Sequence, residues 1–158
     1  MKTHYKCRIC NSENLIDVLN LGDQVLSGVF PKHDEEDPTK SPLKLIKCES
    51  CNFVQLRHSA DLDQMYGSTY GYYSSLSKSM VKHLTGKAEE LLKLVNPPSN
   101  ANILDIGCND GTLLNHYLEK CKRDDLNAYG VDPSSKKFIK FINPKVNVFF
   151  DFFGSKFI

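Results

Sequence analysis

No run of apolar residues in this 158-residue sequence approaches the roughly 20 needed to span a bilayer. The start, Met-Lys-Thr-His-Tyr-Lys-Cys, also lacks the apolar core of a signal peptide. No membrane partner is therefore expected, and the chain is read as cytoplasmic. Charge of one sign is not in excess either: the formal net charge is +1 and the sequence pI is near 7.6. There is no broad basic surface to neutralise phosphates, which argues against nucleic acid as a partner. Internal repeats and a G-x-G-x-x-G dinucleotide fingerprint are absent. The composition, 41% hydrophobic and 25% charged, is that of a globular chain and excludes a disordered tail. Six cysteines remain to be explained. In a reducing compartment they call for a metal, a redox role or simple burial.

Residues 1–60 carry two Cys-x-x-Cys pairs separated by a polar insert, Pro31-Lys32-His33-Asp34-Glu35-Glu36-Asp37-Pro38, which reads as a solvated loop. The β-type runs Leu15–Leu19, Leu43–Ile46 and Phe53–Leu56 flank the insert and the second pair, and they predict a small antiparallel ribbon. Residues 61–98 form a connector rich in Tyr, Gly and Ser, followed by a helix. Met80, Val81, Leu84, Ala88, Leu91, Leu92 and Val95 recur at helical spacing, and Asn96-Pro97-Pro98 ends the pattern. Residues 99–158 alternate strand and helix: a strand at Ala101–Ile106, a helix at Thr112–Cys121, a strand at Ala128–Asp132, a helix at Pro133–Phe141 and a strand at Val146–Phe150. The expected fold class is α/β, a small zinc ribbon followed by a parallel sheet with right-handed crossovers.

Cys7 and Cys10, with Cys48 and Cys51, can each present two thiolates from a tight turn, and two such turns complete a tetrahedral S4 shell for Zn2+. Four thiolates leave no open position, so this metal is structural. The segment is small and polar, and metal binding would supply folding energy that its core lacks. A redox reading of one pair leaves the other unexplained. His4, His33 and His58 are surplus as ligands and are expected at the surface.

Between the first strand of the third region and its helix lies Asp105-Ile106-Gly107-Cys108-Asn109-Asp110-Gly111. Gly107 and Gly111 let the backbone approach a ligand closely, although an ordinary strand-to-helix turn would look alike. The next strand ends in Asp132, where a carboxylate can accept hydrogen bonds from the ribose hydroxyls of an adenosyl cofactor. The run resembles motif I of class I S-adenosylmethionine (SAM) methyltransferases. That resemblance makes Asp105, Gly107, Asn109, Asp110, Gly111 and Asp132 candidate SAM contacts. Cys108 reads as a small residue beside the cofactor rather than a catalytic thiol, and Cys121 as buried packing.

Taken in order, these features resemble one family: sugar C-methyltransferases with an N-terminal zinc-binding domain, acting on nucleotide-linked 4-keto-6-deoxyhexoses. The resemblance rests on the first Cys pair, Leu19-Asn20-Leu21-Gly22 with Leu26 and Phe30, and Pro42-Leu43-Lys44-Leu45 leading into the second pair. It continues through Val54-Gln55-Leu56, Tyr66-Gly67-Ser68-Thr69-Tyr70-Gly71-Tyr72-Tyr73-Ser74-Ser75 with His83, and Gly130-Val131-Asp132-Pro133. It implies a Rossmann-like class I methyltransferase domain and a nucleotide-sugar substrate. It also implies a connector that encloses SAM, which makes Tyr72, Tyr73 and Ser74 candidates; aromatic packing is the competing reading for any one tyrosine. The implied chemistry is removal of a proton acidified by the 4-ketone, followed by attack of the enolate on the sulfonium methyl group.

The family's sheet has seven strands, and this chain is expected to be truncated after the third. The catalytic His and Tyr are expected beyond Ile158. His83, on a helix face, and His116, on an exposed helix, are not substitutes. An uncovered sheet edge at Ile103-Leu104, with Phe149, Phe150, Phe152, Phe153 and Phe157 near the end, predicts self-association or partial disorder. Two other readings compete. One is a zinc-ribbon rRNA methyltransferase, disfavoured by the neutral charge. The other is a non-catalytic zinc-binding adaptor, which would not bind SAM tightly.

Overall fold

The computed structural model of the chain describes residues 1–26, 39–67 and 70–157. The insert Pro31–Pro38 with its His33, and Phe30, Ser68, Thr69 and Ile158, lie outside the described residues. The chain divides into two units, Met1–Gly71 and Tyr72–Ile158. Together they mix helix and sheet, as the sequence predicts. None of the described helices is long and apolar enough to cross a membrane.

The first unit contains β1 (Lys2–Thr3), β2 (Leu15–Val25), β3 (Lys40–Cys48), β4 (Val54–Leu56), β5 (His58–Ser59) and α1 (Leu62–Tyr66). β2, β3 and β4 form an antiparallel sheet in that order, and β1 pairs with β5. The antiparallel ribbon expected from the short β-type runs is present, with β2 and β3 longer than expected and β4 starting one residue later. β2 slips register between Asn20 and Asp23, where Gly22 adopts φ +67° and donates its N–H to Asn20 Oδ1. Only glycine reaches that backbone conformation without steric cost. Among the described residues, the buried side chains of this unit are Cys7, Leu26, Ile46, Cys48 and Gln55. A core so small, with two thiols and an amide in it, cannot offset the entropy of ordering the chain by apolar burial alone.

The histidines correct one expectation. His4 and His58 are half-buried in the β1–β5 pair, with His4 Nε2 2.8 Å from Ser59 Oγ, while the buried Nδ1 of His58 has no hydrogen-bond partner. The two-stranded pair draws them inward because His58 faces Thr3 across the ladder.

In the second unit, α2 (Lys78–Val95) starts at Ser77, whose hydroxyl accepts the Met80 N–H. It ends at Asn96 in the left-handed conformation, φ 43°, with its N–H bonded to Leu92 O. β6 (Asn102–Ile106), β7 (Asn127–Val131) and β8 (Asn147–Phe149) form a parallel sheet in that order. α3 (Thr112–Asn115) follows β6 and widens into a π turn over His116–Lys120, closed by the Cys121 N–H on His116 O. Tyr117 and Leu118 of this turn both enter the core. Pro133–Phe141 forms a 3-10 helix rather than an α-helix, with Asp132 as its cap.

The core gathers Ala88 from α2, Leu114, Tyr117 and Leu118 after the loop, Ala128 from β7, and Cys108, Ile142 and Val146. His116 is a second correction. Expected on an exposed helix, its side chain is only 10% exposed. Its Nδ1 lies 3.2 Å from Thr85 Oγ1, and its Nε2 is buried without a hydrogen bond, 3.8 Å from Glu89.

Ile103 and Asp105 face one side of the sheet with Ala128 and Gly130, their partners on β7. Leu104 and Ile106 face the other, where they are 50% and 56% exposed, and Phe149 beside them is 45% exposed. β6 is an edge among the described strands.

Gly130 lies under the loop that follows β6. A Cβ there would come within 2.6 Å of Cys108 Sγ and 3.2 Å of Leu114 Cδ1. Gly130→Ala should therefore lower stability by about 1–3 kcal/mol, measured by denaturant unfolding. Adding Cys108→Ala, which removes the clashing sulfur, should recover part of the loss.

Candidate functional site

The first site is built from two matching turns. Cys7 opens one: its C=O accepts the Asn11 N–H at 2.9 Å, and its N–H donates to Ser12 O at 2.8 Å. Cys48 opens the other in the same way, with Asn52 N–H on its C=O at 2.8 Å and its own N–H on Phe53 O at 2.9 Å. Asn11 and Asn52 both take the left-handed conformation, at φ 59° and 60°. Asparagine tolerates that conformation better than most residues, so each Cys-x-x-Cys-Asn closes a tight turn. Ser12 Oγ and Ser50 Oγ, 2.8 Å apart, tie the turns together.

This brings the four sulfurs of Cys7, Cys10, Cys48 and Cys51 within 4.8 Å of one another. Cys7 Sγ lies 3.6 Å from Cys51 Sγ, and Cys10 Sγ 3.6 Å from Cys48 Sγ. A tetrahedral zinc site with Zn–S of about 2.3 Å requires S···S edges of about 3.8 Å. A disulfide would need about 2 Å, so the cysteines are free thiols poised for a metal. They do not share their protons equally. Burial opposes ionisation of Cys48, but N–H groups of Cys51 and Ser50 and the neighbouring thiols bring it down to about 6. Cys51, despite the Phe53 N–H, is pushed up to about 12 by burial and by the other sulfurs. A divalent cation removes that conflict, since it lets all four ionise together.

Gln55 is a residue of this site that the reading for chemistry passed over. It is 3% exposed on β4. Its Oε1 accepts the Arg8 N–H at 2.9 Å, and its Nε2 donates to Lys6 O at 3.2 Å. One amide thus fixes the backbone on both sides of Cys7. The sequence signal was a polar residue between the apolar Val54 and Leu56 on a short strand.

The second site is the loop between β6 and α3. Gly107 has φ +81° and Gly111 φ +74°, so both glycines are required by the backbone. A Cβ on Gly107 would meet nothing within 4 Å: open space adjoins the loop there. At Gly111 a Cβ would lie 2.9 Å from Ile142 Cγ1, so this glycine serves packing. Asp105 is half-buried, and desolvation followed by the charge of Asp132 raises it to about 6. Asp132 accepts the Asn109 N–H on Oδ2 and the Ser134 N–H on Oδ1, which leaves each oxygen a further lone pair. Two carboxylates near open space, one resisting ionisation, favour a cationic ligand.

Asn109 and Asp110 are placed differently. They are 7% and 2% exposed, and their side chains turn inward. Asn109 Oδ1 accepts the Ser74 N–H at 2.9 Å, while its Nδ2 donates to Tyr72 O and Ser134 Oγ. Asp110 Oδ2 accepts the Ser75 N–H at 2.7 Å, and its Oδ1 takes the Thr112 hydroxyl at 2.6 Å. The candidate segment Tyr72, Tyr73 and Ser74 is thereby brought against the loop, and Tyr73 packs on Phe138 with ring centres 5.4 Å apart. Cys108 is 4% exposed beneath the loop, where burial pushes its thiol up to about 11, the wrong direction for a nucleophile. Cys121 packs half-buried against the core. His83 is exposed on α2, beside a shallow hollow it shares with Lys82 and Lys87.

Residues 7–66, which contain all four clustered cysteines, match the family model described as "Putative zinc binding domain". The chain is also 26% identical over 132 residues to the C-methyltransferase NovU of Streptomyces niveus, an alignment covering 82% of this chain. The two similarities agree: one is to a zinc-binding domain over the N-terminal part of the chain, the other to a C-methyltransferase. The chain spans 30% of the length of NovU. The matched domain and the cluster of four cysteines together support zinc as the metal of this site.

Chelation of the metal should unfold the first unit, seen as loss of its β-sheet signal, and zinc should restore it. Gln55→Ala leaves the Arg8 N–H and Lys6 C=O unpaired and should weaken zinc binding about 10- to 100-fold, measured by competition with a chromophoric chelator.

Proposed function

We propose that this chain is the zinc module and cofactor-binding part of a SAM-dependent methyltransferase that methylates a carbon of a nucleotide-linked 4-keto-6-deoxy sugar. The observation that carries the reading is the juxtaposition of open space at Gly107 with Asp105 and Asp132. Both aspartates stand at the carboxyl ends of adjacent parallel strands, where ligands of open α/β sheets bind. The similarity to NovU supports the reaction class.

The donor set suits SAM. Its α-amino group and sulfonium are cationic, and Asp105 lies where a positive charge would relieve its repulsion by Asp132. Asp132 keeps lone pairs for the ribose hydroxyls, and Gly107 admits the ligand close to the backbone. When bound, SAM supplies a methyl group on a positively charged leaving sulfur. The parallel sheet would then be the first strands of a Rossmann-like class I domain working in a reducing cytoplasm.

The sugar's 4-ketone acidifies the neighbouring C–H, so catalysis needs a base and a donor for the enolate oxygen. Neither role is given to a residue of this chain. Cys108 is buried and held protonated, and His116 is enclosed by Thr85 and Glu89. In this reading both groups belong to the part of such enzymes that this chain does not span.

Titration calorimetry with SAM tests the reading. Binding should strengthen as pH rises through about 6, because Asp105 must ionise to attract the cation. Asp105→Asn should flatten that dependence, and Asp132→Ala should weaken binding about tenfold or more. Binding that is independent of pH and unaffected by both changes would overturn the assignment. The same raised carboxyl makes a separate prediction about folding. Asp105 binds its proton more tightly folded than unfolded, so stability should fall as pH rises from about 4 to about 6, and Asp105→Asn should remove that slope.

A further inference from the structure

We infer that Asn109 and Asp110 are positioning residues that hold the backbone of Tyr72–Ser75 against the glycine loop, so that this segment becomes a preformed wall of the ligand site. The inference rests on the cofactor reading of the loop for its functional part, but the latch itself stands on geometry alone.

Position in motif I would make both side chains contacts of the cofactor. Their hydrogen bonds point elsewhere. Asn109 offers one acceptor and two donors in its amide, and all are used within the protein: Ser74 N–H on Oδ1, Tyr72 C=O and Ser134 Oγ on Nδ2. Asp110 spends Oδ2 on the Ser75 N–H and Oδ1 on the Thr112 hydroxyl and N–H. The pair is 7% and 2% exposed, so neither presents a polar atom to a ligand in solution.

The partners matter as much as the bonds. To these bonds Tyr72 and Ser75 contribute backbone atoms, while Ser74 adds its hydroxyl, 3.5 Å from Asn109 Oδ1, to its N–H. Ser74 and Ser75 open a 3-10 turn, Ser74–Leu76, whose first N–H groups have no partner within the turn. The two loop side chains cap that turn from a distance of 35 residues. At the other end of the latch, Asn109 is anchored through its N–H on Asp132 and its C=O on the Ser135 hydroxyl. The carboxylate assigned to ribose thus shares one hydrogen-bonded network with the segment Tyr72–Ser75. A site assembled this way needs less ordering when ligand arrives, which raises affinity without any direct contact.

Hydrogen exchange of the full chain, without ligand, at the Ser74 and Ser75 amides tests the latch. Both amides should be protected, and Asn109→Ala should speed Ser74 exchange about tenfold while the core amides of Leu114 and Ala128 stay unchanged. Asp110→Asn, milder than removal of this buried group, should do the same at Ser75. Ser75→Pro removes the donor from the other side and leaves the loop intact. SAM affinity should fall about tenfold in both Asn109→Ala and Ser75→Pro. Unaltered exchange in the variants overturns the latch. Faster exchange with unaltered SAM affinity overturns the positioning role. A parent chain that takes up no SAM overturns the cofactor reading and the positioning role with it, while the exchange rates still decide the latch.

Discussion

Four sulfur atoms cannot all ionise side by side without a cation among them, and the first unit is arranged around that fact. Among the described residues it buries little apolar side-chain surface besides Ile46 and Leu26, so apolar burial contributes only modestly. The two Cys-x-x-Cys-Asn turns bring the sulfurs to the corners of a rough tetrahedron, and the ion would then supply what the core does not. Everything nearby serves the turns: the left-handed asparagines that close them, the serine pair that joins them and the buried amide of Gln55. The second unit solves a related problem with hydrogen bonds. It encloses polar side chains beneath a loop and satisfies each with backbone or hydroxyl partners, so that Asn109 and Asp110 can be buried at little net cost.

Much of this was legible in the residues. Matched cysteine pairs point to a metal because no other chemistry accounts for both, and the periodicity of Met80 to Val95 marks α2 because a single face must meet a core. Alternating strands and helices led to the parallel order of β6, β7 and β8. What could not be read was the direction in which side chains turn. Asn109 and Asp110 look like ligand contacts when only their place in a glycine loop is known. Their partners lie far back in the chain, in a segment whose role depends on backbone atoms that no side-chain pattern reveals. The sequence pattern places His116 on an exposed helix for a similar reason, since its contact with Thr85 of α2 leaves no periodic trace. Gln55 was passed over because one polar residue on a short strand usually faces water.

That glutamine also links two decisions the folding chain must make. Residues alternate across a strand, so a slip of one position along β4 would replace Gln55 with Val54 or Leu56 and turn the amide to solvent. The first cysteine turn would then lose its grip on both Lys6 and Arg8. Correct pairing of β3 with β4 therefore helps to form the thiolate set, and the ion would bind the registered sheet more tightly than a slipped one. Metal binding would thereby favour one strand alignment over its neighbours, in a sheet where several apolar residues of β2, β3 and β4 are exposed.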